Sequence, residues 1–338
     1  MRIKHVTPVI VKRYLSPKVR SRAVFLLGAA GIGKSEVVFQ AAEILGKSID
    51  NWQGVVDIRL SQMEPTDLRG IPAADMATKL ATWCRFDTLP TTGSGIIFLD
   101  EITSAPQSIQ AAAYQLVLTP QDFGVPDTWM IVAAGNSKSD RGVTYNIGGP
   151  LLNRFCQLEV DATLDDFMEH AVTKGIRPEI LSFLKDRPDF LHKFEPVGGD
   201  IKPFPTPRSW FAVSDTLDID LPEEVRAEII AGDVGQEAGI SFEAHLRVYG
   251  EMPRIDDILA GKDVEVPTKL NVLYCVSMGL ALRLDKSNFN DAWKFLQRCP
   301  SEIQTLTIKL AYKRDKDIAK SPAYAQWAMA NQSAFSHA

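Results

Sequence analysis

Long apolar runs are missing from this chain: nothing in its 338 residues approaches the ~18 apolar residues that a spanning helix needs. The N-terminus, Met1-Arg2-Ile3-Lys4-His5, carries charge but leads into no apolar stretch of secretory type, so no export signal is expected. Cysteine is scarce. Cys84, Cys156, Cys275 and Cys299 lie far apart with no metal-ligand spacing, the pattern of reduced and mostly buried thiols in a cytoplasmic protein. No internal repeat, low-complexity tract, helix-turn-helix or zinc signature is legible. An excess of positive charge is also absent, and the net charge of -5 argues against wholesale coating of nucleic acid.

What is present is ordinary for a folded protein: 45% hydrophobic and 23% charged residues in a chain long enough for two or three domains. The charge is uneven. Between Arg2 and Arg22 there are Lys or Arg at positions 2, 4, 12, 13, 18, 20 and 22 and no acid. Such a segment is either a phosphate- or nucleic-acid-facing patch or a solvated helix face beside a nucleotide site, and the second is the commoner arrangement.

Apolar runs alternate with helical patterns through the first half. Ala23–Leu27, Val55–Leu60, Ile96–Asp100, Met130–Ala134 and Phe155–Val160 read as strands, with helices over about 35–45 and 107–118. Continuous apolar strands spaced by helices predict an α/β fold: a parallel five-stranded sheet covered on both faces by helices. Near Asp161 the pattern turns helical. The expected division is a nucleotide-binding α/β domain over 1–161 with a short helical N-terminal segment, an all-helical lid over 162–250, and a C-terminal helical region over 251–338. Trp293, Phe295, Tyr312, Tyr324 and Trp327 read as core residues of that last region.

Gly28-Ala29-Ala30-Gly31-Ile32-Gly33-Lys34-Ser35 fits G-x-x-x-x-G-K-[ST] and lies between an apolar strand and a helix. Its glycines let successive backbone N–H groups turn toward phosphates, and the helix N-terminus adds its positive end. Lys34 is expected at the β- and γ-phosphates, and Ser35 as a ligand of Mg2+. This predicts a P-loop NTPase that binds ATP and Mg2+, although no base-reading motif separates ATP from GTP. Ile96-Ile-Phe-Leu-Asp100-Glu101 follows about seventy residues later. In a doubly wound sheet its carboxylates face the loop, Asp100 holding the metal and Glu101 polarising the attacking water.

The Asp100-Glu101 pair, Asn136 after the fourth strand, Asn153-Arg154-Phe155 and Pro207-Arg208-Ser209-Trp210 resemble the AAA+ ATPases. Leu60-Ser-Gln-Met-Glu-Pro-Thr-Asp-Leu-Arg-Gly70 is similar to the MoxR branch of that superfamily, and the resemblance covers about 23–215. It implies roles for Asn136 as the sensor that orients water, Arg154 as the arginine finger with Arg141 as competitor, and Arg208 as the second sensor. It further implies a ring, expected as a homo-hexamer, that remodels a protein substrate, with a von Willebrand factor A-domain protein as partner. The alternative is a DNA-acting AAA+ ATPase, whose sole sequence support is the Arg2–Arg22 cluster; a nucleotide-gated scaffold is disfavoured by Glu101.

Two segments read as insertions: 61–95, and 119–129 as a hairpin with a glycine turn. In the branch that the chain resembles, similar segments face a central pore. Phe123 at the predicted hairpin tip therefore carries two readings, pressing on substrate or packing locally.

Overall fold

In the computed structural model, residues 1–137, 148–194, 202–249 and 252–331 are described. The chain divides into two compact units, 1–162 and 163–338.

The first unit is built on a five-stranded parallel sheet. Its strands are β1 (Val24–Gly28), β2 (Trp52–Arg59), β5 (Ser94–Asp100), β6 (Trp129–Asn136) and β7 (Cys156–Glu159), in the order β2-β5-β6-β1-β7. All five segments predicted as strands are present, and β2 begins three residues before the expected Val55. β5 and β6 are buried almost throughout. This is why their sequences read as unbroken apolar runs rather than alternating ones. One face packs on the helix Gln107–Leu118 through Ile97, Leu99, Ile109, Ala113 and Leu116. The other packs on the helices Val6–Tyr14 and Lys34–Gly46 through Ile10, Val24, Leu26, Val38, Ala41 and Phe98.

The segment 61–95 holds a short helix, Pro65–Arg69, and an antiparallel hairpin of β3 (Ile71–Asp75) with β4 (Leu80–Cys84). Every residue of both hairpin strands is exposed. The hairpin expected at 119–129 is not formed. Pro120–Phe123 is a 3-10 turn closed by Gly124 at φ 74°, and Phe123 is 8% exposed, packed in the core that also contains Val125 and Trp129. The physical reason is partly local and partly a distant contact. Pro120 starts a helical turn, no apolar–polar alternation follows it, and the Trp129 indole N–H donates to the Thr92 carbonyl at 3.0 Å, drawing the segment inward. The local-packing reading of Phe123 is therefore the one observed.

The basic N-terminal segment spends several of its cations internally. Arg13 donates to the carbonyls of Val19 and Arg22, Arg22 to that of Phe155, and Arg20 stacks over the Tyr14 ring.

The second unit is helical among its described residues. Its first cluster centres on Trp210, fully buried against Phe183 and Phe242 with its indole N–H donating to the Phe190 carbonyl at 2.8 Å. That cluster also takes in Met278, Ala281 and Leu310 from later helices. A second cluster contains Phe295, Tyr324 and Trp327, with Trp293 and Tyr312 partly buried against it. Among described residues no helix is long and apolar enough to cross a membrane.

Candidate nucleotide site

The carboxyl ends of β1, β5 and β6 converge on the Gly28–Ser35 loop. Gly31 (φ 73°) and Gly33 (φ 99°) adopt the left-handed backbone that side chains disfavour, which turns the loop onto the N-terminus of the Lys34–Gly46 helix. Gly28 is needed for another reason. A Cβ there would stand 2.4 Å from the Val160 carbonyl oxygen, so only glycine lets β1 pass so close to the end of β7. Lys34 is 8% exposed, and its ammonium donates to the carbonyls of Gly28 (2.9 Å) and Ala29 (2.7 Å) and to Asn136 Oδ1 (3.0 Å). The Ser35 hydroxyl donates to Asp100 Oδ2 at 3.0 Å. Four sequence-predicted residues thus form two hydrogen-bonded pairs, Lys34–Asn136 and Ser35–Asp100, on adjacent loop residues.

Glu101 has φ 58°, a left-handed conformation uncommon for a residue with a side chain. Its N–H donates to Asp100 Oδ1 at 2.8 Å, and its carboxylate accepts the hydroxyl of Ser61, just beyond β2. Asp57 on β2 senses the same charge: desolvation first, and the Asp100 charge after it, push its carboxyl above the ordinary carboxylate range. A region where carboxylates repel one another is one that a cation relieves.

The donor set fits Mg2+ with a nucleoside triphosphate. Among described residues no group of three or more His, Cys, Asp or Glu could hold a metal by itself. A serine hydroxyl beside one carboxylate oxygen suits Mg2+, which keeps waters and takes its remaining ligands from phosphates. Ala29, Ala30 and Ile32 complete the loop. Ile3 lies against it too, its Cδ1 3.8 Å from where a Cβ on Gly33 would be. Backbone bonds between Ile3 and Asp161 and between Asp161 and Met1 hold that segment in place, a feature that the sequence reading missed.

One predicted residue of the first unit, Arg154, is not brought to this cluster. Arg154 is exposed and sits just before β7, whose Cys156 pairs with Val24 at the opposite end of β1 from Gly28. Four residues of strand, about 13 Å, separate those ends. Arg208 lies in the second unit, exposed, at the start of the helix Pro207–Leu217. A capping box holds that start: the Thr206 hydroxyl accepts the Ser209 N–H at 3.1 Å, and Ser209 Oγ accepts the Thr206 N–H at 2.9 Å. Arg141 lies outside the described residues.

Residues 23–155 match the family model described as an AAA domain of the dynein-related subfamily. This stretch of the chain has the P-loop AAA fold. The match spans less than half of the chain, from the edge of β1 to the residue before β7. No curated protein sequence matches the chain. Similar solved structures include a variant of Thermotoga maritima RuvB, at 14% identity over 88% of this chain and 87% of that one, TM-score 0.39. PCH-2 of C. elegans is similar at 14% identity over 72% of this chain and 67% of its own, TM-score 0.32. Likeness at that level carries no argument, and the fold rests on the sheet order and the phosphate loop.

Proposed function

We propose that the chain is an ATP-hydrolysing remodelling motor of the MoxR type, working as a ring, with the homo-hexamer as its expected form. One observation supports this above the others. The pairs Lys34–Asn136 and Ser35–Asp100 lie at the carboxyl end of the sheet, while Arg154 stands at the opposite end. A chain so built has the phosphate-binding half of a site at one end and a cation suited to a neighbour's site at the other.

The roles follow from position. The N–H groups of Gly28–Ser35 and the Lys34 ammonium hold the phosphates, and Ser35 and Asp100 hold the metal, which supplies charge neutralisation at the phosphates when bound. Glu101 takes the proton of the attacking water, and Asn136 orients that water. Arg154 of an adjacent subunit and Arg208 balance the charge that develops on the γ-phosphate.

The β3–β4 hairpin suits contact with a protein substrate. Met76 is 86% exposed and Trp83 59%, with Ile71 and Leu80 also exposed, on an element that packs neither face against a core. A von Willebrand factor A-domain partner is supported by the MoxR resemblance alone. The internal use of Arg13, Arg20 and Arg22 weakens the DNA-acting alternative.

The test is Mg2+-dependent ATP turnover by the full chain, with Glu101→Gln as control. Turnover that Glu101→Gln abolishes while nucleotide binding survives is the expected result. A chain that binds nucleotide and never hydrolyses it, at any protein concentration, would sink the motor reading. DNA-stimulated turnover would favour the alternative.

A further inference from the structure

The β5–β6 ladder stops before the site is complete. Its last paired residues are Leu99 and Ala133, and β5 then leaves the sheet at the left-handed Glu101. β6 runs three residues further, to Asn136, and its backbone groups on the β5 side lose their strand partner. Two contacts replace it. The Ile102 N–H donates to the Ala134 carbonyl at 3.0 Å, and the Thr103 hydroxyl oxygen accepts the Asn136 N–H at 2.9 Å. Thr103 is buried, and it lies so near β6 that a Cβ on Gly135 would meet its Cγ2 at 2.6 Å. A glycine precedes Asn136 where any side chain would push Thr103 away.

We infer that Thr103 is a positioning residue for Asn136, a side-chain rung that carries the sheet past its last strand pair and couples Asn136 to the turn bearing Asp100 and Glu101. The inference rests on the ATPase reading above. The chemistry is one of alignment. Asn136 accepts from Lys34 through its Oδ1, so its backbone must be held by something other than its side chain. On one side Gly28 pairs with it in the β1–β6 ladder; on the other Thr103 accepts its N–H. Because the same short turn contains Glu101, a shift of the turn moves the water-activating carboxylate and the water-orienting amide together. With Thr103 in place the two remain at a fixed separation.

The experiment compares the parent chain with Thr103→Val, Thr103→Ser, Asn136→Ala and the Thr103→Val/Asn136→Ala pair. Valine keeps the shape and removes the acceptor; serine keeps the acceptor. Steady-state ATP turnover supplies kcat and KM, a fluorescent ATP analogue supplies affinity, and hydrogen exchange reports on the Asn136 amide. The expected result is a fall in kcat of about ten- to a hundredfold in Thr103→Val with affinity unchanged, faster exchange at Asn136, and recovery in Thr103→Ser. The pair should lose no more than Asn136→Ala does alone, because both changes disable one device. Parent-like kcat in Thr103→Val, or losses that multiply in the pair, would overturn the inference. A parent chain without ATP turnover would instead overturn the functional reading, and unchanged exchange at Asn136 would still refute the rung by itself.

Discussion

Removal of the Arg154 guanidinium should abolish turnover at the neighbour's site and leave the chain's own nucleotide binding intact. The structure supplies the reason. Cys156 pairs with Val24, and the phosphate loop begins at Gly28, so about 13 Å of strand separates the level of β7's start from the loop. Arg154 lies two residues earlier still. An arginine side chain cannot cover that span, and the phosphates sit beyond Gly28, which lengthens it. Within one chain Arg154 is out of reach, and a catalytic role requires a second copy. An arginine finger contributes about 10³-fold or more to phosphoryl transfer, so Arg154→Ala should lose roughly 4 kcal/mol of transition-state stabilisation. The assay is complementation. Arg154→Ala and Glu101→Gln are each expected to be inactive, one lacking its finger and the other its base. Mixed in equal amounts, half of the intact Glu101 sites would face a chain that retains Arg154. About a quarter of all sites should recover, with heterologous interfaces that close into a ring. Turnover per chain should also fall on dilution as rings dissociate. Full activity in Arg154→Ala would refute the argument, as would a mixture of well-folded variants that recovers nothing.

Three further outcomes can be measured directly. Trp210→Ala should destabilise the second unit by about 3–5 kcal/mol, because it empties a fully buried site beside Phe183 and Phe242 and frees the Phe190 carbonyl; denaturant unfolding reads this. His245 is buried against Ser182 at 2.7 Å and Cys275 at 3.8 Å, and desolvation lowers its pKa below the usual histidine value. The native state therefore keeps the ring neutral where the unfolded chain binds a proton. Stability should fall as pH drops through about 6.5, and His245→Gln should flatten that slope in urea titrations between neutral and mildly acidic pH. Replacing Met76 and Trp83 with serine should leave basal ATP turnover within about twofold, since neither side chain packs in a core, while abolishing substrate-stimulated turnover; an unaffected response would remove the hairpin from substrate contact.

The parts of the fold that were legible in the sequence are those where one local pattern has one structural meaning. β1, β5 and β6 are buried on both faces, so continuous apolar runs mark them, and the glycines at 31 and 33 mark a turn that side chains disfavour. Phe123 shows the limit. A Gly–Pro-rich segment before a strand is compatible with a hairpin or a tight helical turn, and the distant Thr92 carbonyl that captures Trp129 settles which forms. Ser61 and Thr103 were illegible for a deeper reason. A lone hydroxyl looks the same on a surface as beside a carboxylate, and neither residue belongs to a spacing motif. What gives them meaning is the strand order, which no run of residues encodes. With β2, β5, β6 and β1 side by side, Ser61 follows the end of β2 and reaches Glu101, Thr103 follows the end of β5 and reaches Asn136, and Asn136 ends β6 and reaches Lys34 beyond β1. Each contact crosses one strand boundary, so the residues form a relay across the sheet end from β2 to the phosphate loop. Phosphate charge drawing Lys34 away from Asn136 would alter the relay at its loop end, and Glu101, held by Ser61 at the other, shares a turn with Thr103. Substitutions at Ser61 and Thr103 should therefore change turnover more than nucleotide affinity, whereas substitutions at Lys34 should change both.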